Sequence, residues 1–248
     1  MHVWLYTFLS VTVVSLISLA GIFFLAVKKE KLKQIQLILV GLATGGLLGG
    51  AFFHLLPESF EVFENKKIAS LFLVFGFLIF FVLERFLHWH HDHGVSENKI
   101  KPFGTINLVA DMFHNLLDGL LIGAAYSYSP SLGLATTITV LMHELPQEIG
   151  DFGVLIHAGF SRRKALFYNF LSACTAYLGA LVVFIFGARA ESLSKDILPL
   201  AAGGFLYLAA ADLIPELHTE KGVFRSFLQF IALLLGMAML FVILLFAE

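Results

Sequence analysis

Two stretches, His114-Asn115-Leu116-Leu117-Asp118-Gly119 and His143-Glu144-Leu145-Pro146-Gln147-Glu148-Ile149-Gly150-Asp151, set imidazole, carboxylate and amide side chains inside long apolar runs. A bilayer interior tolerates such groups least. The apolar runs therefore decide the fold, and the polar side chains within them call for something to bind.

The composition agrees with a membrane chain. Hydrophobic residues make up 58% and charged residues 14% of the 248 positions, against about 45–50% and about 25% in soluble domains. The 27 phenylalanines and mean hydropathy of +0.87 point the same way. A net charge of -2 gives no footing for nucleic acid. The single cysteine, Cys174, excludes an internal disulfide framework and a CxxC metal site. No basic stretch precedes the first apolar run, so a cleaved signal peptide is not expected.

A spanning helix needs about 20 mostly apolar residues. Eight runs qualify: Val3–Val27, Gln34–Leu56, Ile68–Leu87, Phe103–Tyr126, Leu132–His157, Ala165–Ala188, Ile197–Leu217 and Val223–Phe246. The expected fold is an all-α polytopic membrane protein of eight spans, with residues 1–248 forming a single transmembrane domain. Twelve of the 16 Lys and Arg residues lie in the loops after odd-numbered spans or beside them, among them Lys28, Lys101, Arg162 and Arg225. The positive-inside bias then puts these loops in the cytoplasm and both termini outside a cell membrane. The loop of about residues 88–102 carries His88, His90, His91 and His93, a tract suited to collecting metal on the cytoplasmic side.

An internal repeat supports the same layout. Thr44–Glu58 (TGGLLGGAFFHLLPE) matches Ala202–Glu216 (AGGFLYLAAADLIPE) without a gap and with seven of fifteen positions identical. These segments lie in spans two and seven, which run in opposite directions. Spans one to three thus mirror spans six to eight around a central pair, as in many secondary transporters. His54 and Glu58 fall near the outer mouth, Asp212 and Glu216 near the inner one.

The central pair carries the chemistry. In span four, His114 and Asp118 are four residues apart, as are Asp111 and Asn115, so each pair shares a helix face. In span five, His143, Gln147 and Asp151 form one line, and Glu144 and Glu148 the next. His114 and His143 sit at similar depth. Pro146 removes one backbone hydrogen bond, and the expectation is a local widening that frees a carbonyl near Met142. The five carboxylates of these two spans have no Lys or Arg beside them in either span. At about 3 kcal/mol each, burying them costs on the order of 15 kcal/mol as an upper bound. A divalent cation, water or protons must offset that. Imidazole with carboxylate and amide favours borderline metals such as zinc, iron, manganese or cadmium, and ligands that also take protons imply pH dependence.

These residues resemble the ZIP family of zinc and iron transporters, in the form of its compact bacterial-type members. The resemblance rests on His114-Asn115-x-x-Asp118-Gly119, on His143-Glu144-x-Pro146-x-Glu148-x-Gly150-Asp151, on the His-rich loop and on the two Pro-Glu helix ends. It implies movement of divalent metal into the cytoplasm, a paired-metal site between spans four and five, and a homodimer in the lipid bilayer. By that resemblance His114, His143, Glu144 and position 147 hold one metal, while Asn115, Asp118 and Glu144 contribute to a second. Gln147 departs from the family pattern, which commonly has His there. The metal is cargo, and no catalytic cofactor is expected.

Two other classes compete. His143-Glu144 begins an H-E-x-x-H zinc-protease pattern, but Gln147 replaces the second His and Pro146 occupies the spacer, so no enzyme is expected. A selective metal channel uses the same ligand row, and the sequence leaves it open.

Overall fold

The computed structural model describes residues 2–91 and 100–247, and every regular element among them is helical. This is the arrangement that lets backbone groups pair within one segment away from water. Helix α1 (His2–Ile17) continues as a 3-10 segment, Ser18–Phe24. Helix α2 (Lys29–Gly49) passes through a π-helical segment, Gly50–Leu55, into α3 (Leu56–Val62). Then come α4 (Lys66–His91), α5 (Pro102–Tyr128) and α6 (Pro130–His157). Helices α7 (Arg162–Ala173) and α8 (Thr175–Phe186) meet at the free thiol of Cys174. Helix α9 (Ala188–Tyr207) leads through a second π segment, Leu208–Leu213, into α10 (Ile214–Leu217), and α11 (Val223–Ala247) ends the described chain. Helix α4 runs on to His91, into the His-rich tract; His93 lies outside the described residues.

Seven stretches are long and apolar enough to cross a membrane, and they coincide closely with seven of the eight expected spans. The remaining one is α6. Its 28 residues reach about 42 Å at 1.5 Å per residue, ample for a hydrocarbon core of about 30 Å. Its apolar character is diluted by the very residues of interest, His143, Glu144, Gln147, Glu148 and Asp151.

Burial orders the helices from centre to rim. The spans Pro102–Tyr128 and Asp196–Leu217 are 61% buried, whereas Lys66–Phe86 and Val223–Leu245 are 17% and 22% buried. The outer faces of these last two are Leu, Phe, Val and Ile, the side chains a hydrocarbon solvent favours. Helices α5 and α6 pack against each other at the centre, with α2 and α8 beside them.

Three helix crossings bring backbones into contact through paired glycines. A methyl placed on Gly119 would sit 1.9 Å from the Ala176 carbonyl oxygen, and one on Gly179 2.1 Å from that of Leu116. Gly45 and Gly236 join α2 to α11 in the same way, and Gly76 and Gly203 join α4 to α9, each meeting a backbone oxygen at 2.0–2.3 Å. Small residues replace hydrophobic drive between helices in lipid, because they let dispersion contacts and backbones close up.

The two π segments have a common cause. Each precedes a proline, Pro57 or Pro215, whose ring would clash with the carbonyl four residues earlier in an α-helix. The wider turn relieves it, and the amides of Leu56 and Ile214 donate instead to Ala51 and Ala209, five residues back. Helix α6, in contrast, stays α-helical across Pro146. The widening expected there is found at the ends of the two repeat segments.

Candidate metal site

All nine side chains singled out on spans four and five are buried. Asn115, Glu144 and Glu148 have no exposed surface, and His143, the most accessible, is 6% exposed. The 3.6-residue period explains this: Asp111, His114, Asn115 and Asp118 form the inward stripe of α5, and His143, Glu144, Gln147, Glu148 and Asp151 that of α6.

They divide into two groups, each with its ligand atoms within 4.8 Å of one another. The first is His114, Asp118, His143 and Glu144. His114 Nε2 lies 3.2 Å from Glu144 Oε1 and 3.7 Å from Asp118 Oδ2. His143 Nε2 lies 3.5 Å from Asp118 Oδ2 and 3.8 Å from Glu144 Oε1. Four ligands on a tetrahedron with metal bonds of about 2.1 Å are about 3.4 Å apart. The four nitrogen-to-oxygen separations lie near that figure, and all four atoms are within 4.8 Å of one another, so one ion can reach them all.

The tautomer of His143 fits the same reading. Its Nδ1 lies 3.1 Å from the Thr139 carbonyl oxygen. A carbonyl only accepts, so Nδ1 carries a hydrogen, and Nε2, turned to Asp118 and Glu144, is the nitrogen available to a cation. A proton or a metal ion between that nitrogen and the carboxylate oxygens makes the contact attractive. Of the 15 buried side-chain N and O atoms without a hydrogen-bond partner among the described residues, 12 belong to these two groups and their immediate neighbours. Gln147 Oε1 is one of them.

The second group is Asp111, Glu148 and Asp151. Asn115 Nδ2 donates to Asp111 Oδ1 at 2.9 Å, and Ser172 Oγ donates to Asp111 Oδ2 at 2.5 Å. Asn107 Nδ2 donates to Asp151 Oδ1 at 2.9 Å, and Asn169 donates to Glu148. Asn169 and Ser172 stand out in the sequence as polar residues in an apolar span. Asn107 was missed, although its position four residues before Asp111 was a usable signal.

The expected route residues fall at opposite ends of the α5–α6 pair. His54 stacks obliquely on His143 with ring centroids 5.9 Å apart, and its Nδ1 lies 3.7 Å from Glu58 Oε2. These residues line a cavity of about 480 Å³ that runs between Tyr128, Leu132 and Thr139 down to His143. Tyr128 at its rim is 85% exposed, so the first group is reached from this end. At the other end Glu216 is held by Lys101 Nζ at 2.8 Å to both oxygens and by His157 Nε2 at 2.8 Å, and Gln36 Nε2 lies 3.1 Å from His157 Nδ1. This tie joins α2, α6, α10 and the start of α5. Asp212 sits elsewhere, a hydrogen-bonding neighbour of Glu84, which also accepts from Tyr207. Glu84 and Lys101 took no part in the sequence-based site.

A polytopic helical protein with two imidazoles and several carboxylates converging at its buried centre is built to handle cations within a membrane. The sequence pattern of the ZIP zinc transporter family covers residues 1–102 and 88–244, and the chain belongs to that family. It is an integral membrane protein of a transporter family, not of an enzyme family. It is 32% identical to zinc transporter ZIP13 of Pongo abelii over 85% of this chain and 67% of that protein. It is 31% identical to metal cation symporter ZIP8 of Rattus norvegicus, over 88% of this chain. Over 60% of the chain it is 40% identical to zinc transporter zipt-7.2 of Caenorhabditis elegans. The chain spans 63% of the ZIP8 length and 33% of the zipt-7.2 length.

Proposed function

We propose that this protein carries divalent transition-metal cations, zinc foremost, into the cytoplasm, with His114, Asp118, His143 and Glu144 as the central binding group. The observation that carries the reading is the convergence of four buried ligand atoms, with each imidazole nitrogen 3.2–3.8 Å from both carboxylate oxygens. Gln147 supplies an amide oxygen beside it, and Asn115, Asp111, Glu148 and Asp151 continue the polar route. Helix α6 is the fifth span and brings the total to eight. The basic residues Lys101 and Arg162 lie at the end where Glu216 is tied, so that end faces the cytoplasm and the termini lie outside, in the cell membrane.

The inverted repeat draws support from two features. Gly50–Leu55 and Leu208–Leu213 occupy aligned positions, both 158 residues apart. Gly45 and Gly203, also aligned, each form a backbone crossing with the helix that follows in the mirrored order. Access from one end and a tie at the other favour a carrier over an open channel, so flux should saturate with metal concentration. The exposed apolar faces of α4 and α11 suit lipid and a second copy, and mass measurement in detergent would show a dimer.

The test is zinc uptake into proteoliposomes. His114→Ala and His143→Ala each remove one of two nitrogen ligands and should abolish saturable uptake; uptake equal to wild type in both defeats the reading. Gln147→His adds a borderline nitrogen donor to the same inward line. It should shift competition uptake toward zinc over manganese by about tenfold, on the usual preference of imidazole. An unchanged selectivity profile would remove Gln147 from the selecting set.

A further inference from the structure

We propose that Asp111, Glu148 and Asp151 form a second cation site of a different kind, which takes a hard divalent ion such as Mn²⁺ through oxygen ligands alone. The proposal rests on the reading of α5 and α6 as metal-binding helices, but it adds a distinct site and ligand class.

The three carboxylates come from two helices, converge within 4.8 Å, and are at most 2% exposed. No Lys or Arg pairs with them among the described residues. The surrounding amides are the independent sign. Each carboxylate receives an N–H from its own asparagine: Asp111 from Asn115, Asp151 from Asn107 and Glu148 from Asn169. With the nitrogen committed, the oxygen of each amide remains, and Oδ1 of all three asparagines is buried without a partner. Glu148 Oε1 and Asp151 Oδ2 are likewise unpartnered. The asparagines are no more than 1% exposed, so water from outside does not meet the need.

An imidazole-free set of carboxylate and amide oxygens is the donor chemistry of magnesium, calcium and manganese, as the first group's imidazoles are that of zinc. Three carboxylates also supply the charge such ions need in a dry interior. The amide donors fix the orientation of each carboxylate, as partners of metal ligands do. The two groups thus differ in hardness one to two helical turns apart, and one ion need not displace the other.

The experiment uses the purified full chain in lipid nanodiscs, loaded with one equivalent of Zn²⁺ and then titrated with Mn²⁺ under electron paramagnetic resonance. The expected result is one bound Mn²⁺ whose electron spin-echo modulation lacks imidazole nitrogen coupling. Asp151→Asn and Glu148→Gln should weaken Mn²⁺ binding at least tenfold and keep the tight Zn²⁺ equivalent. His143→Ala should do the reverse. Nitrogen coupling in the wild type, displacement of Mn²⁺ by the first equivalent of Zn²⁺, or no Mn²⁺ bound at all overturns the proposal. The wild-type spectrum decides even where a variant fails to fold. Failure of zinc binding at the first group with oxygen-only Mn²⁺ binding retained would instead strike the transport reading.

Discussion

Glu144→Gln is expected to reduce zinc uptake at least 100-fold while making the metal-free protein more stable. Glu144 Oε1 lies between both imidazoles, 3.2 Å from His114 Nε2 and 3.8 Å from His143 Nε2. Both of its oxygens are buried and without a hydrogen-bond partner. Groups that merely orient ligands change metal affinity by about 10–100-fold, so a charged ligand at the centre should exceed that range. The stability effect has the opposite sign. An unpaired buried carboxylate opposes folding, and an amide of the same shape removes a charge beside Asp118. Thermal unfolding without metal should rise by a few degrees, on the order of 1 kcal/mol. The rise in melting temperature that zinc gives the wild type by binding only the folded state should disappear. Wild-type uptake in this variant would exclude Glu144 as a ligand.

Gly119→Val is expected to lose both assembly and transport. The first side-chain carbon would lie 1.9 Å from the Ala176 oxygen, 2.6 Å from its carbonyl carbon and 2.8 Å from its α carbon. All three are backbone atoms, so no rotamer change gives relief, and α5 and α8 must separate by more than 1 Å. Overpacking a core costs about 1–3 kcal/mol where side chains adjust, and more where they do not; the upper end is the minimum here. Gly119 also follows Asp118 directly, so the same shift moves a ligand of the first group. Size-exclusion yield, thermal unfolding and zinc binding check this, and a well-folded variant with native affinity would show that the crossing is not needed. Gly46, where an added carbon meets nothing within 4 Å, is the control position: Gly46→Ala should leave all three unchanged.

The sequence spoke most clearly through depth and period. His114 and His143 each lie near the middle of a long apolar run, and their neighbours repeat at helical spacing. That was enough to place nine buried residues in one region. The division of those nine into two groups was not legible, since it depends on how α5 and α6 are rotated against each other. Asp118, assigned by resemblance to the second metal, stands among the four atoms of the first group, because its Oδ2 is turned to both imidazoles. The fate of the Pro-Glu ends was also hidden. Glu58 opens into a cavity while Glu216 is tied to Lys101 and His157, a difference no local pattern records. Among the spans, hydropathy is weakest at α6, where the functional residues dilute the signal of the helix that carries them.

The glycine crossings bear on how such a molecule moves. Backbones in contact along α2–α11, α4–α9 and α5–α8 cannot slide past each other without climbing over carbonyl oxygens. Each pair behaves as a stiff double rib. Any passage from one-ended to other-ended access must therefore be taken up between the ribs, and the tie of Glu216 to Lys101 and His157 fastens α10 to α6 and the start of α5 there.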